Sequence, residues 1–250
     1  MTAHDIWAPL RHELDRWQTA GKTVRFWLRD DDAIEPTSAL EQLLKLTADA
    51  KVPLTLAVIP ASTGEPLAAR LGDAQQVLVA LHGWSHTNHA GPEEKKQELG
   101  AHRPPEVVLG ELRDGLAILR RLFGPRFISM LVPPWNRING ALIAKLPAVG
   151  LETLSVYGAA KADSPIRLLN THVDIMNWHG VRGSRPQDEL IADVVRELRA
   201  RFDDDGEPIG ILTHHLVHDE NAWAFLSDLL IETRAHPAAT WTSSEALVEA

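Results

Sequence analysis

The sequence predicts an α/β protein, a deformed (β/α) barrel of about seven to eight parallel strands with helices outside. Two observations carry that expectation. Apolar runs of strand length alternate with amphipathic helical patterns almost to the C-terminus. The runs are near-continuously apolar, as in strands covered on both faces, which is the habit of parallel sheets wrapped by helices. About eight such runs in 250 residues suit a sheet that closes on itself, with a doubly wound open sheet as the competing arrangement. No GxGxxG or GxxxxGK[ST] opens any helix, so the phosphate-binding versions of such folds lose support.

The elements follow in order. Ile6, Leu10, Leu14 and Trp17 recur at helical spacing, predicting an amphipathic helix within residues 1–21 that ends near Gly21 and packs on the rest. Strands are expected at VRFWLR (24–29), PLTLAVI (53–59), QVLVAL (76–81) and RFISMLV (126–132), then at ETLSVY (152–157), RLLNTHVDI (167–175) and PIGILT (208–213), with a short one near Ala239 to Thr242. Helices are expected from Ser38 to Ala50, where Ser38 and Glu41 make a capping box, and from Pro105 to Phe123, with Leu109, Leu112, Leu116 and Leu119 on one face. Two more run from Gln187 to Phe202 and from Asn221 to His236. The least regular stretches, 83–104 and 176–186, both follow strands and are expected on one face. The whole chain, 1–250, reads as one domain.

Composition removes several classes of function. The net charge is −9 with no block of lysine or arginine, so nucleic acid is not an expected partner. No apolar run is long enough to span a bilayer, and charges at Asp5, Arg11, Glu13, Asp15 and Arg16 interrupt the N-terminus where a secretion signal would be apolar. A soluble cytoplasmic protein is the expectation. With no cysteine, disulfides and thiolate ligands are excluded, and any metal must be held by His, Asp or Glu.

The polar residues gather at strand ends. Asp30, Asp31 and Asp32 follow the first strand, and His82, with His86 and His89, follows the third. Pro133, Pro134, Trp135 and Asn136 follow the fourth. The sixth carries His172 and Asp174 and leads to Trp178 and His179, while the seventh ends in His214 and His215, with His218 beyond. In parallel barrels the loops after the strands converge on one mouth, where active sites are built.

Each signal alone has an ordinary explanation. Three aspartates in a row are most often a solvated loop, HxxxH is as common among surface histidines, and tryptophans such as Trp135 or Trp178 are more often core. Their shared strand-end position argues for a site, because three adjacent carboxylates repel one another unless a cation compensates. The fitting chemistry is a divalent cation held by two imidazoles and one carboxylate, with positions open to water and substrate. Zinc suits that set, and iron, cobalt, manganese and nickel remain possible ions. Non-haem iron oxygenases share the ligand set, and His172-Val173-Asp174 has their spacing, but a parallel α/β pattern is not their scaffold. No glutamate lies between His82 and His86, which removes HExxH protease logic.

In this order the residues resemble the polysaccharide deacetylases of carbohydrate esterase family 4, the NodB-homology fold. Arg29-Asp30-Asp31-Asp32-Ala33 resembles the family's TFDDG, and His82-Gly83-Trp84-Ser85-His86 its H[ST]xxH. Val132-Pro133-Pro134-Trp135 resembles RPPY, Asp174 to Trp178 the Asp/Trp segment, and Leu212-Thr213-His214 the C-terminal LLH. The resemblance runs from about Arg25 to His215.

It implies a metal-dependent hydrolase that deacetylates an N-acetylated or O-acetylated sugar or polysaccharide. Asp31 would be the general base, Asp32, His82 and His86 the metal ligands, and His214 the acid, with Asp174 holding His214. The aspartate run also admits Asp30/Asp31 as the base–ligand pair, although alignment on Leu28 to Ala33 favours Asp31/Asp32. Pro134, Trp135, Trp178 and Trp84 would contact a small-molecule or oligosaccharide substrate. Val132 stands where the family has an arginine that orients the base, leaving Arg29 or Arg137 to supply that charge. Asp30, Trp135 and His215 also depart from the pattern, and His89 is additional. A hydrolase of non-sugar C–N amide bonds and a non-catalytic metal- or carbohydrate-binding relative are the competing readings.

Overall fold

The computed structural model describes residues 5–178, 183–203 and 206–249. Strands β1 (Val24–Ala33), β2 (Leu54–Val58), β3 (Val77–Leu81), β4 (Phe127–Leu131), β5 (Thr153–Leu154), β6 (Arg167–Leu168), β7 (Val173–Asp174) and β10 (Ile209–Thr213) form one curled parallel sheet. Its order is β6-β5-β4-β3-β2-β1-β10-β7, and β11 (Ala239–Trp241) adds to the start of β1. Between them run α1 (Ala8–Thr19), α2 (Ser38–Ala50), α3 (Glu65–Leu71), α4 (Pro105–Phe123), α5 (Gly140–Ile143), α6 (Gln187–Ala200), α7 (Glu220–Arg234) and α8 (Ser244–Glu249). No helix among the described residues is long and apolar enough to cross a membrane.

The deformed barrel expected from the sequence is present, and the segment 167–174 shows how it curls shut. Read as one strand, this segment is two. Leu169 and Thr171 donate to the carbonyls of Leu154 and Val156, while His172 and Ile175 donate to those of Gly210 and Leu212. The segment therefore leaves one edge of the sheet and joins the other. Between 176 and 184, a stretch expected to be irregular, β8 (Met176–Asn177) and β9 (Gly183–Ser184) pair antiparallel.

Period-two alternation divides each strand between two layers. Phe26 and Leu28, Leu54 and Leu56, and Val77 and Val79 face outward and pack with α1, α2, α4, α6 and α7 in the main core. Trp27, Ala57, Ala80, Met130 and Val132 face inward as a smaller cluster. Alanines on two neighbouring strands leave room for the Trp27 indole, which is fully buried and donates to the Asn170 carbonyl at 3.0 Å. Gly210 closes this layer, since a Cβ there would lie 2.5 Å from Trp27 Nε1 and from Asn170 O. Above Trp27, on the same inward face, β1 presents Arg29 and Asp31 toward the carboxyl-end mouth.

Local chemistry sets the helix ends. The cap of α2 is Thr37, whose side chain accepts from the Leu40 N–H at 3.0 Å, rather than the Ser38 box read from the sequence. Asp219 caps α7 through the Ala222 N–H at 2.8 Å. The N-terminal helix is Ala8–Thr19, and it lies on α6 with Glu13 bonded to Arg199.

Candidate metal centre and active site

The three aspartates lie inside β1, which continues to Ala33 instead of ending at Arg29. Strict alternation would send Asp30 and Asp32 outward together and Asp31 inward. Asp30 obeys: it is buried on the outer face, where Thr213 Oγ1 donates to it at 2.7 Å, the His215 N–H at 2.9 Å, and His215 Nδ1 contacts its other oxygen. Asp32 does not. Pairing with β2 is irregular between Asp30 and Ala33, and Asp32 has φ of 73°, a conformation aspartate tolerates better than most residues. That twist turns Asp32 to the mouth beside Asp31.

Asp32 meets two imidazoles there. Its Oδ1 lies 3.0 Å from His82 Nε2 and 3.2 Å from His86 Nε2. One ligand atom from each of the three residues lies within 4.8 Å of the others. His82 is buried, and its Nδ1 faces the Val132 carbonyl at 2.9 Å, so Nδ1–H donates there and Nε2 is the atom left to bind a cation. Tetrahedral zinc with bonds of about 2.1 Å separates its ligand atoms by roughly 3.4 Å, and the two separations from Asp32 to the imidazoles lie within a few tenths of an ångström of that spacing.

Charge sharing is already visible in this trio. Burial pushes the Asp32 carboxyl upward, but the hydrogen bond from His82 and the charges of His82, His214 and His86 outweigh it and hold Asp32 well below the usual carboxylate range. His82 is opposed by burial and raised by Asp32, Asp31 and the Val132 carbonyl. Burial and the neighbouring His82 charge lower His86. A divalent cation among these atoms would take the place of the shared protons.

Asp31 sits next to this trio. Arg29, two residues earlier on the same inward face, donates from Nε to Oδ1 at 2.9 Å and from Nη2 to Oδ2 at 3.0 Å. Two of the three remaining guanidinium hydrogens go to Ser155 Oγ and Asn136 Oδ1, both at 2.7 Å. The cation expected beside the base therefore comes from β1 itself. Arg137 instead donates to the Lys96 carbonyl at 3.1 Å.

Across the mouth, His214 Nε2 lies 4.0 Å from Asp31 Oδ2. Asp174 does not hydrogen-bond His214 as the sequence reading supposed. Its carboxylate accepts from the Met176 N–H at 2.9 Å and from Trp178 Nε1 at 2.8 Å. Burial raises Asp174, partly offset by the His214 charge, so the two residues interact through charge alone. His214 Nδ1 is buried with no hydrogen-bond partner among the described residues.

The aromatic residues divide. Trp135 lies 4.3 Å from the His86 ring, and Trp178 meets His214 edge-on at 4.6 Å while remaining exposed. Pro134 is buried against Gly83. Trp84 is half-buried, and its backbone is tied to Glu98 and Ala61. His172 lies too deep for the mouth: its Nδ1 accepts from the Gly210 N–H at 3.0 Å and its Nε2 lies 3.1 Å from Glu207. His179 lies outside the described residues.

Two residues have roles that the sequence pattern does not assign: Glu98, which lies in no motif, and Asn136, which it places at a strand end without a partner. Glu98 is buried behind the His82–His86 loop, and Asn136 braces Arg29. Backbone geometry was the signal no residue pattern displays. Of five non-glycine residues with positive φ among those described, Asp32, His86, Trp135 and Asn136 surround this site, the concentration of strain expected where structure serves function.

No protein-family model matches the chain, and no curated protein matches it in sequence. Solved structures do match. A Mycobacterium smegmatis protein classed as a polysaccharide deacetylase aligns over 92% of this chain and 90% of its own, with TM-score 0.68 and 16% identity. A family 4 carbohydrate esterase from Streptomyces lividans, in complex with acetate, aligns over 86% and 90%, with TM-score 0.58 and 16% identity. A family 4 acetyl xylan esterase from Clostridium thermocellum, in complex with a cobalt ion, aligns over 90% of each chain, with TM-score 0.54 and 16% identity. The chain thus has the fold of the polysaccharide deacetylases of carbohydrate esterase family 4, the fold its motifs resemble.

Proposed function

We propose that this chain is a metal-dependent hydrolase that removes an acetyl group from an N-acetylated or O-acetylated sugar or oligosaccharide. The observation that carries the proposal is one mouth holding two sets of groups. Asp32, His82 and His86 form a ligand trio, and Asp31 and His214 flank it with Nε2 and Oδ2 at 4.0 Å. The similarity of fold to deacetylases and esterases, one solved with acetate and one with cobalt, supports the same reading.

Asp32 and the Nε2 atoms of His82 and His86 would hold the ion. When bound, a divalent cation polarises the acyl carbonyl and acidifies water. Zinc suits this donor set, with iron, cobalt, manganese and nickel as alternatives. Asp31 then serves as the base that accepts the attacking water's proton, its carboxylate oriented by Arg29 and each oxygen keeping a free lone pair. His214 Nε2, on the opposite side, delivers a proton to the departing amine or alcohol. General acid–base assistance of this kind contributes about 10²–10⁴-fold. Asp174, whose carboxyl is raised by burial and lowered by the His214 charge, fixes the Trp178 indole beside that histidine. Trp178 and Trp135, with Pro134 below, form apolar walls for a sugar face or an acetyl methyl.

The non-catalytic reading rested on the missing arginine at Val132. Arg29 fills that role, which favours an enzyme. Acetate release from N-acetylated and O-acetylated oligosaccharides, with and without chelator, tests the reading; a metal-loaded protein inert on every acetylated sugar would contradict it.

A further inference from the structure

We propose that Glu98 is a positioning residue for the metal centre, clamping the loop that carries His86. The proposal rests on the metal-centre reading above. His82 is placed by β3 and by the Val132 carbonyl, but His86 lies four residues on, in a loop without regular secondary structure. Something else must hold it.

The backbone around His86 converges on one carboxylate. Glu98 Oε2 accepts from the Trp84 N–H at 3.0 Å, and Oε1 accepts from the Ser85 N–H at 2.7 Å and the Thr87 N–H at 3.4 Å. Ser85 Oγ adds a fourth bond at 3.1 Å. Together the loop N–H groups make a concave anion site whose occupant is a side chain of the same protein. Glu98 is 1% exposed, and no lysine or arginine side chain bonds its carboxylate among the described residues. A buried charge held only by backbone and hydroxyl dipoles is costly unless the loop conformation it enforces matters.

That conformation is unusual at both ends. Gly83 has φ of 58°, and a Cβ there would collide with Glu98 Oε2 and the Pro134 ring. His86, with φ of 57°, occupies the left-handed region without glycine's freedom. Glu98 is itself anchored: Leu99 pairs with Ile138, the Asn139 N–H donates to Leu99 O at 2.8 Å, and the His89 N–H donates to Gln97 O at 2.9 Å. The clamp therefore ties the histidine loop to the segment bearing Trp135, whose ring touches His86.

Glu98→Gln tests this directly, because its amide nitrogen would face a backbone N–H, donor against donor, at little change in size. Metal-free wild type and variant are titrated with Zn²⁺ and with Co²⁺, and the visible Co²⁺ spectrum is recorded. The variant should fold by circular dichroism, bind roughly 10- to 100-fold more weakly, and show an altered spectrum. In a His86→Ala background, titrated at the higher Zn²⁺ and Co²⁺ concentrations that its two remaining ligands require, the same change should cost no further affinity. Wild-type affinity and spectrum in folded Glu98→Gln would overturn the proposal, as would an undiminished loss in the His86→Ala background. If Glu98→Gln does not fold, Ser85→Ala should weaken binding by roughly 2- to 10-fold, and unchanged affinity would overturn the proposal. A wild type that binds neither ion contradicts the metal reading itself, an outcome distinct from loss confined to the variants.

Discussion

Arg29 and Asp31, next-but-one neighbours on a single strand, form a buried ion pair with two hydrogen bonds, of 2.9 and 3.0 Å. Strand alternation places both on the inward face, and the guanidinium fork matches the carboxylate. Ser155 and Asn136 take up further Arg29 hydrogens, so the carboxylate of the proposed base is held from one side.

Arg29→Met should therefore do two kinds of damage. Removing one partner of a buried pair leaves the other charge unsolvated, and the expected destabilisation is about 3–5 kcal/mol by chemical denaturation. Activity in the fraction that folds should fall sharply. Arg29→Lys keeps the charge but not the fork, and should recover stability better than turnover. Equal stability in all three proteins would show that the pair carries no structural weight.

Asp174 and His214 should separate in mutant kinetics. His214→Ala removes the proposed acid and should lower kcat by about 10²–10⁴-fold. Asp174→Asn keeps an acceptor for either Met176 N–H or Trp178 Nε1–H, sets its amide nitrogen against the other, and removes no group bonded to His214, so its loss should be much smaller. If the two variants lose activity equally, a direct Asp174–His214 bond forms during turnover and the geometry here is not the working one.

His218 gives a pH signature. Burial is the main cause that lowers it, to about 4 from 6.5, with the His215 and His214 charges adding to the effect. A folded-state value below the unfolded one means the unfolded chain binds more protons between those limits, so stability rises with pH there. The contribution is fully present above about pH 6.5 and is lost as pH falls toward 4. At 1.36 kcal/mol per unit, the shift is worth on the order of 3 kcal/mol. His218→Gln should flatten the urea-derived stability of the protein between pH 4 and 6.5 relative to wild type. Parallel curves would remove His218 from the acid response.

Much of this site was legible in the sequence because parallel barrels gather strand ends, and Asp31, Asp32, His82, His86 and His214 stand at or beside them. What the residues alone did not display was which side each one faces. Asp30 and Asp32 have the same parity, and only the left-handed turn at Asp32 separates a member of the candidate ligand trio from a buried partner of His215. His172 has the inward parity of the site but lies one strand layer too deep. RLLNTHVDI read as a single strand because its apolar residues are continuous, whereas its hydrogen bonds change partner midway. Glu98 lay in a stretch with no periodicity, and nothing in the pattern linked it to the loop eleven to fourteen residues earlier.

In the proposed function, Asp32, His82 and His86 hold one divalent ion on which deacetylation depends. The most direct test is metal content per chain measured on wild type and on Asp32→Ala, His82→Ala and His86→Ala, with acetate release assayed on the same samples. About one ion per wild-type chain is expected, with removal by chelator together with activity, restoration of both by added metal, and loss of both in each variant as purified. Acetate release that persists in metal-free protein, or full metal content in the three variants, would contradict it.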